Sequence, residues 1–162
     1  MSSPARVTSR VLKDIDPKAL DKLRQRLVGD NKVVHVGIPE GKHEEDGTPV
    51  AMIAAVHEFG SPSQEIPERP FLRITPVKHR EKYVRLNRIN LVKMLRGQMT
   101  VENALGQLGE MAKGDVQQEI RNGNFAPLKA ETIRRKGSSR PLIDSGQMVQ
   151  SVSWELGDKS ND

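Results

Sequence analysis

Hydrophobic residues recur along this chain with two periods. Between residues 100 and 121, Val101, Leu105, Leu108, Met111, Ala112, Val116 and Ile120 fall mostly three or four apart, the spacing of one helix face. Asn122 and Gly123 close that helix, and Gly97 separates it from a helical stretch over 76–96. Gly106, Gly109 and Gly114 interrupt the later helix; they either let another backbone approach closely or mark a bend. Asp16 and Pro17 supply a cap and a first-turn proline for a helix with Leu20, Leu23 and Leu27 on one face and Gly29 as its stop. Thr48 and Pro49 repeat that start signal before an apolar run over 50–59, read as a buried helix ended by Gly60. Its small residues Ala51, Ala54 and Ala55 suit close packing on a sheet.

The second period is two. Over 32–38, Val34, Val36 and Ile38 point one way and Val33 and His35 the other. Residues 151–156 alternate similarly and predict a second strand. Residues 39–48 form a polar loop, and 61–70, with Pro62, Pro67 and Pro70, an extended arm that delivers Phe71 and Leu72 as anchors. A short helix is predicted over 128–136, a basic tip over 137–140, and a short helix or turn after 142–146. The pattern predicts an α+β fold: a small, mostly antiparallel sheet from 32–38, 151–156 and one or two further strands, packed by the two longer helices of 76–121. Domain organisation follows as a flexible N-terminal arm over 1–15, one domain over 16–156 and a disordered tail over 157–162.

Composition narrows the function classes. The 162 residues are 35% hydrophobic and 3% aromatic, enough for a lean core. The absence of cysteine excludes a disulfide scaffold, a thiolate zinc site, an iron–sulfur cluster and a cysteine nucleophile. No apolar run approaches the roughly 18 residues of a membrane span, so no membrane partner is expected. Met1, Ser2, Ser3 and Pro4 lack the apolar stretch of a secretory signal, and the expectation is a soluble protein made in a cytosol.

Candidate chemistry is sparse. His35, His43, His57 and His79 sit on different elements. His57 and Glu58 open like a metalloprotease helix, but Ser61 stands where the second histidine belongs. His43, Glu44, Glu45 and Asp46 read as a solvated acidic loop. Asp144 and Ser145 read as caps of the helix that follows, since no nucleophile elbow surrounds the serine. No phosphate-cradling glycine loop is present. No catalytic, cofactor or metal site is therefore expected.

The clearest electrostatic feature lies within 69–96, which holds nine Lys or Arg against the single acid Glu81. On a continuous helix over 76–96, at about 100° per residue, Val77, Val84, Leu91, Val92 and Leu95 cluster on one side. Lys78, Lys82, Arg85, Lys93 and Arg96 share a flanking sector roughly 80° wide. Such a stripe either follows phosphates, faces acidic groups of a partner, or is a solvated face. Tyr83 alone interleaves it, which disfavours stacking on single-stranded bases, and any DNA contact would ignore sequence.

Several short words occur in a recognisable order. Val34, Val36, Gly37 and Ile38 are followed by a polar loop, by Ala51, Ile53, Ala54, His57, Glu58, Phe59 and Gly60, and by the unbroken string over 66–72 (Ile66, Pro67, Glu68, Arg69, Pro70, Phe71, Leu72). Thr132, Ile133, Lys136 and Gly137, the string over 141–148, and Ser151, Val152, Ser153 and Trp154 complete the set. Over roughly residues 32–156 this order resembles the tail-completion and virion-morphogenesis proteins of tailed bacteriophages. The resemblance implies a non-enzymatic neck component of the virion, assembled in the bacterial cytoplasm. It implies a ring of identical subunits, often sixfold, that closes the tail or joins it to the head connector, with connector and tail-tube proteins as partners and no cofactor.

On that reading Ile66, Arg69, Phe71 and Leu72 are candidates for docking on a neighbouring subunit. The alternative is that Phe71 and Leu72 plug their own core. The basic stripe would lie near passing duplex DNA. Two rival classes are a free, sequence-independent DNA-binding module using 78–96, and a hydrolase using His57 and Glu58.

Overall fold

The apolar run over 50–59 forms a helix because nothing in it opposes one. Pro49 leads into it, and Gly60, at φ +74°, turns the chain away at its end. In the computed structural model, which describes residues 17–29, 32–41, 47–137 and 139–158, this helix is one of ten elements, in the order α1 (Pro17–Gly29), β1 (Lys32–Gly37), α2 (Val50–Phe59), a 3-10 turn (Pro62–Gln64), α3 (Phe71–Lys78), α4 (Arg80–Leu95), α5 (Val101–Asn122), α6 (Ala130–Lys136), α7 (Gln147–Ser151) and β2 (Ser153–Asp158).

The architecture is α+β, with β1 and β2 paired as a two-stranded antiparallel sheet. The further strands expected of the sheet do not occur among the described residues. Gly157 and Asp158, expected in the tail, extend β2, and Lys32 Nζ meets Asp158 Oδ1 at 2.8 Å. The expected arm over 1–15, the acidic residues 43–46 and tail residues 159–162 lie outside the described residues.

The described chain divides into two compact units. Residues 17–29, 32–34, 81–108 and 156–158 form the first, and 35–41, 47–80, 109–137 and 139–155 the second.

The second unit holds the larger core: Val50, Ala54, Phe71, Val116, Ile120, Leu142, Met148, Val149 and Val152 are buried together. Val36, Ile38 and Leu72 pack against them. Helix α2 is half in and half out. Val50 and Ala54 face inward, whereas Met52 and Phe59 are exposed, and its neighbours are α3 and α7, not a sheet as expected. Gly109 of α5 makes room for a side chain, not for the backbone or bend expected of it. A Cβ there would lie 2.4 Å from the Trp154 ring, so its absence lets the indole lie on the helix, where Nε1 donates to Glu110 Oε1 at 2.7 Å.

The first unit is sparser. Leu23 and Ala104 are its buried hydrophobic side chains among the described residues, and Leu20 is exposed despite its expected place on the inner face of α1. Helix α4 turns only part of its expected apolar face inward. Val92 and Leu95 of that face are half-buried, as are Tyr83, Leu86 and Met94, and Asn90 is fully buried, whereas Val84 and Leu91 are 40% and 41% exposed. The continuous helix expected over 76–96 is instead α3 and α4, broken at His79. Pro76 inside α3 lacks the amide that would bond back along the helix, and the turn ends two residues later.

Candidate functional site

The words of the sequence meet in space in the second unit. Glu58 is 2% exposed, and its carboxylate sits over the start of α3. Oε2 accepts from the Leu72 amide at 2.8 Å, and Oε1 accepts from the Arg73 amide at 3.0 Å and from Arg73 Nε at 2.9 Å. Arg73 Nη2 donates to the Glu58 carbonyl and to Glu68 Oε2, and its guanidinium lies 5.1 Å from the Phe59 ring centroid. A buried carboxylate is tolerated here because four donors and a cationic partner satisfy it and its backbone. It also explains why α3 starts at Phe71, earlier than Pro76: the cap comes from another helix.

The arm between the two helices is closed with the same economy. Ser61 and Ile66 exchange two backbone hydrogen bonds of 2.9 Å. Gly60 must be glycine at its positive φ, since a Cβ would meet Ile66 O at 2.9 Å and Glu68 N at 3.0 Å. The Arg69 amide donates to the His57 carbonyl at 2.7 Å.

These contacts correct the docking set. Phe71 is fully buried in its own unit and Leu72 packs against the same core, so both serve as the internal plug that was the alternative reading. Arg69 is 3% exposed; Nε donates to Ala126 O at 3.0 Å and Nη2 to Pro127 O at 3.4 Å. It ties the arm to the segment after α5 and is not free to reach a neighbour. Ile66 is partly buried beside its Ser61 pairing.

Beside this clasp opens a cleft of about 890 Å³. Its walls come from α2, the arm, α6 and residues 141–148. Arg69, Lys129, Arg135 and Lys136 line it against Glu65 and Asp144, with Met52, Ile53, Leu142 and Met148 among its apolar walls. Lys129 and Glu65 form an ion pair with one another. His57 also lines the cleft, and its pKa is lowered from 6.5 to about 4, first by burial and then by Arg69 and Lys136. Arg69 Nη1 lies 3.5 Å from His57 Nδ1. A guanidinium can only donate, so Nδ1 is the acceptor and the proton resides on Nε2. Burial also pulls the Lys136 ammonium below its ordinary value; Asp144 opposes that shift, and Arg69 and Arg135 reinforce it.

Ser145 accepts from the Gln147 amide at 3.1 Å, but the cap position of α7 is held by Gly146, not by Asp144 or Ser145 as expected. Glu58 has both oxygens engaged, which leaves the His57–Glu58 hydrolase reading without a free carboxylate. No group of three metal-ligating side chains occurs among the described residues.

In the first unit the basic stripe is shorter than expected. Lys78 belongs to α3 and is held at 2.5 Å by Glu119 Oε1, a buried acid of α5. Lys82, Arg85, Lys93 and Arg96 stay exposed on or just after α4. Of these, Arg85, Lys93 and Arg96 have no carboxylate partner among the described residues, and neither does exposed Arg88.

The cleft cations escaped the sequence reading. Lys136 and Arg135 were visible only as the end of a short helix, and nothing local places them beside His57 and Arg69, more than sixty residues earlier. Comparison with family models, with curated proteins and with solved structures gives no match for this chain.

Proposed function

We propose that this chain is a structural subunit of a tailed-bacteriophage virion that assembles into an oligomeric ring in the neck, where it completes the tail or joins it to the head connector. The order of the sequence words suggests the family. The observation that carries the reading is the thin first unit, whose helix α4 leaves Val84 and Leu91, seven residues apart, open on its outer side. Apolar side chains aligned on one helix and rimmed by charge mark a surface that another chain covers. A second copy offered head to tail closes a ring when the rotation permits, and each copy then completes the burial of the next.

Light scattering on the purified chain tests this. The expected mass is several times 18.1 kDa. Val84→Asp with Leu91→Asp is expected to leave a folded monomer, because neither residue is buried in the free chain. A wild-type chain that stays at 18.1 kDa at every concentration and is missing from purified particles overturns the reading.

The exposed, unpaired Arg85, Arg88, Lys93 and Arg96 favour a second reading, in which this helix contacts duplex DNA through its phosphates without reading bases. Duplex affinity should then fall steeply with salt, and Arg85→Glu with Lys93→Glu should weaken it.

A further inference from the structure

The cleft of the second unit combines two properties that a solvated face does not need together: apolar walls and gathered positive charge. Met52 lines it at 61% exposed, while Leu142 and Met148, which also line it, belong to the buried core. On the polar side the existing acids do not balance the cations. Glu65 is taken by Lys129, and Arg69 spends two of its donors on main-chain carbonyls. Among the described residues Lys136 Nζ donates to the Arg140 carbonyl alone, at 3.3 Å, with Asp144 nearby. Arg135 is exposed and has neither hydrogen bond nor ion pair among the described residues.

Three like charges, Arg69, Arg135 and Lys136, therefore line the cleft with no carboxylate bound to any of them among the described residues. Holding them together costs repulsion and desolvation that an incoming anion would relieve. We infer that this cleft docks an acidic segment of a partner protein, its carboxylates on Arg135 and Lys136 and an apolar side chain on the wall formed by Met52, Ile53 and Leu142.

The size suits such an occupant, since clefts of 300–1,000 Å³ typically take ligands of a few residues' bulk. Nucleic acid is the poorer fit. Phosphates are read by open basic surfaces, and apolar walls return nothing to a sugar–phosphate chain. The inference stands apart from the ring reading: a chain that never oligomerises would still bind, or fail to bind, the segment.

Fluorescence anisotropy with the full chain tests it. The probe is a labelled heptapeptide alternating glutamate and leucine. Controls replace its glutamates by glutamine or its leucines by serine, and a 20-base-pair duplex serves as competitor. The glutamate–leucine peptide is expected to bind at least about tenfold more tightly than either control, the contribution of one or two charge-assisted hydrogen bonds. Arg135→Gln with Lys136→Met should remove that preference for glutamate, and Arg135→Lys should keep most of it. Met52→Asp, at an exposed position, should remove the preference for leucine without unfolding the chain. The inference fails if the acidic peptide does not saturate, or if the glutamine peptide binds equally well. It fails equally if the duplex displaces the peptide, or if the Arg135 and Lys136 changes alter self-association, which would assign the cleft to a second copy.

Discussion

The two units treat polar groups and apolar surface in opposite ways. Around the start of α3 in the second, charges are satisfied at home. Glu58 is wrapped by Arg73 and two amides, Glu119 takes Lys78, and Phe71 closes a core of nine buried side chains. In the first, Leu23 and Ala104 are the buried hydrophobic side chains among the described residues, a fully buried Asn90 faces inward, and Val84 and Leu91 face out beside unpaired arginines. The difference teaches where each unit finds its stability. The second holds itself together around Phe71 although Met52, Phe59 and Val77 stay exposed on it, whereas the first has little core of its own behind its exposed apolar side chains.

Substitutions can break or sharpen this contrast, and the largest effects belong to the second unit. Phe71→Ala removes the largest fully buried side chain and should destabilise by about 3–5 kcal/mol in urea denaturation. Glu58→Ala leaves the Leu72 and Arg73 amides and the Arg73 guanidinium without their acceptor, and a loss of about 3 kcal/mol is expected in the same assay.

His57 adds a pH term. It is held neutral, with its pKa lowered from 6.5 to about 4, so the unfolded chain takes up a proton first as the pH falls. The stability is fully present above pH 6.5 and is lost progressively down to about pH 4. Relative to a His57→Gln variant, the wild type should lose about 2–3 kcal/mol across that window, read from urea midpoints at a series of pH values.

The first unit should respond differently. Asn90 Nδ2 makes a long contact of 3.4 Å to Ala104 O, and Oδ1 has no partner among the described residues. Asn90→Leu should therefore stabilise by about 1 kcal/mol, since an underpartnered buried amide gives way to an apolar group of similar size. Smallest of all, Val84→Ala with Leu91→Ala should change the stability of the free chain by less than about 0.5 kcal/mol while lowering the mass seen by light scattering. A large destabilisation from that pair would mean that the first unit, too, is complete alone.

How much of this was legible in the sequence follows the range of the interactions. Strand β1, helix α2 with its Gly60 stop and helix α5 with its Asn122 end were readable, because periodicity and local stop residues define them. Thr100 Oγ1 accepts from the Asn103 amide at 3.2 Å, a local cap that marks the start of α5. The start of α3 was not readable, because its cap is the side chain of Glu58 on another helix. Nor was the inward face of α4. Of its apolar stripe the fold leaves Val84 and Leu91 outside while Val92 and Leu95 are half-buried, and an asparagine occupies the inside. The cleft was illegible for a similar reason: His57, Arg69 and Lys136 are neighbours only after the arm has folded back.

The bond from Glu58 to the beginning of α3 turns the intervening proline-rich stretch into a spacer of fixed length. With its carboxylate anchored at one end and two amides waiting at the other, a single inserted residue would add up to about 3.5 Å of chain and carry Phe71 out of its seat. Substitutions along the stretch should be accepted far more readily than any change in how many residues it contains.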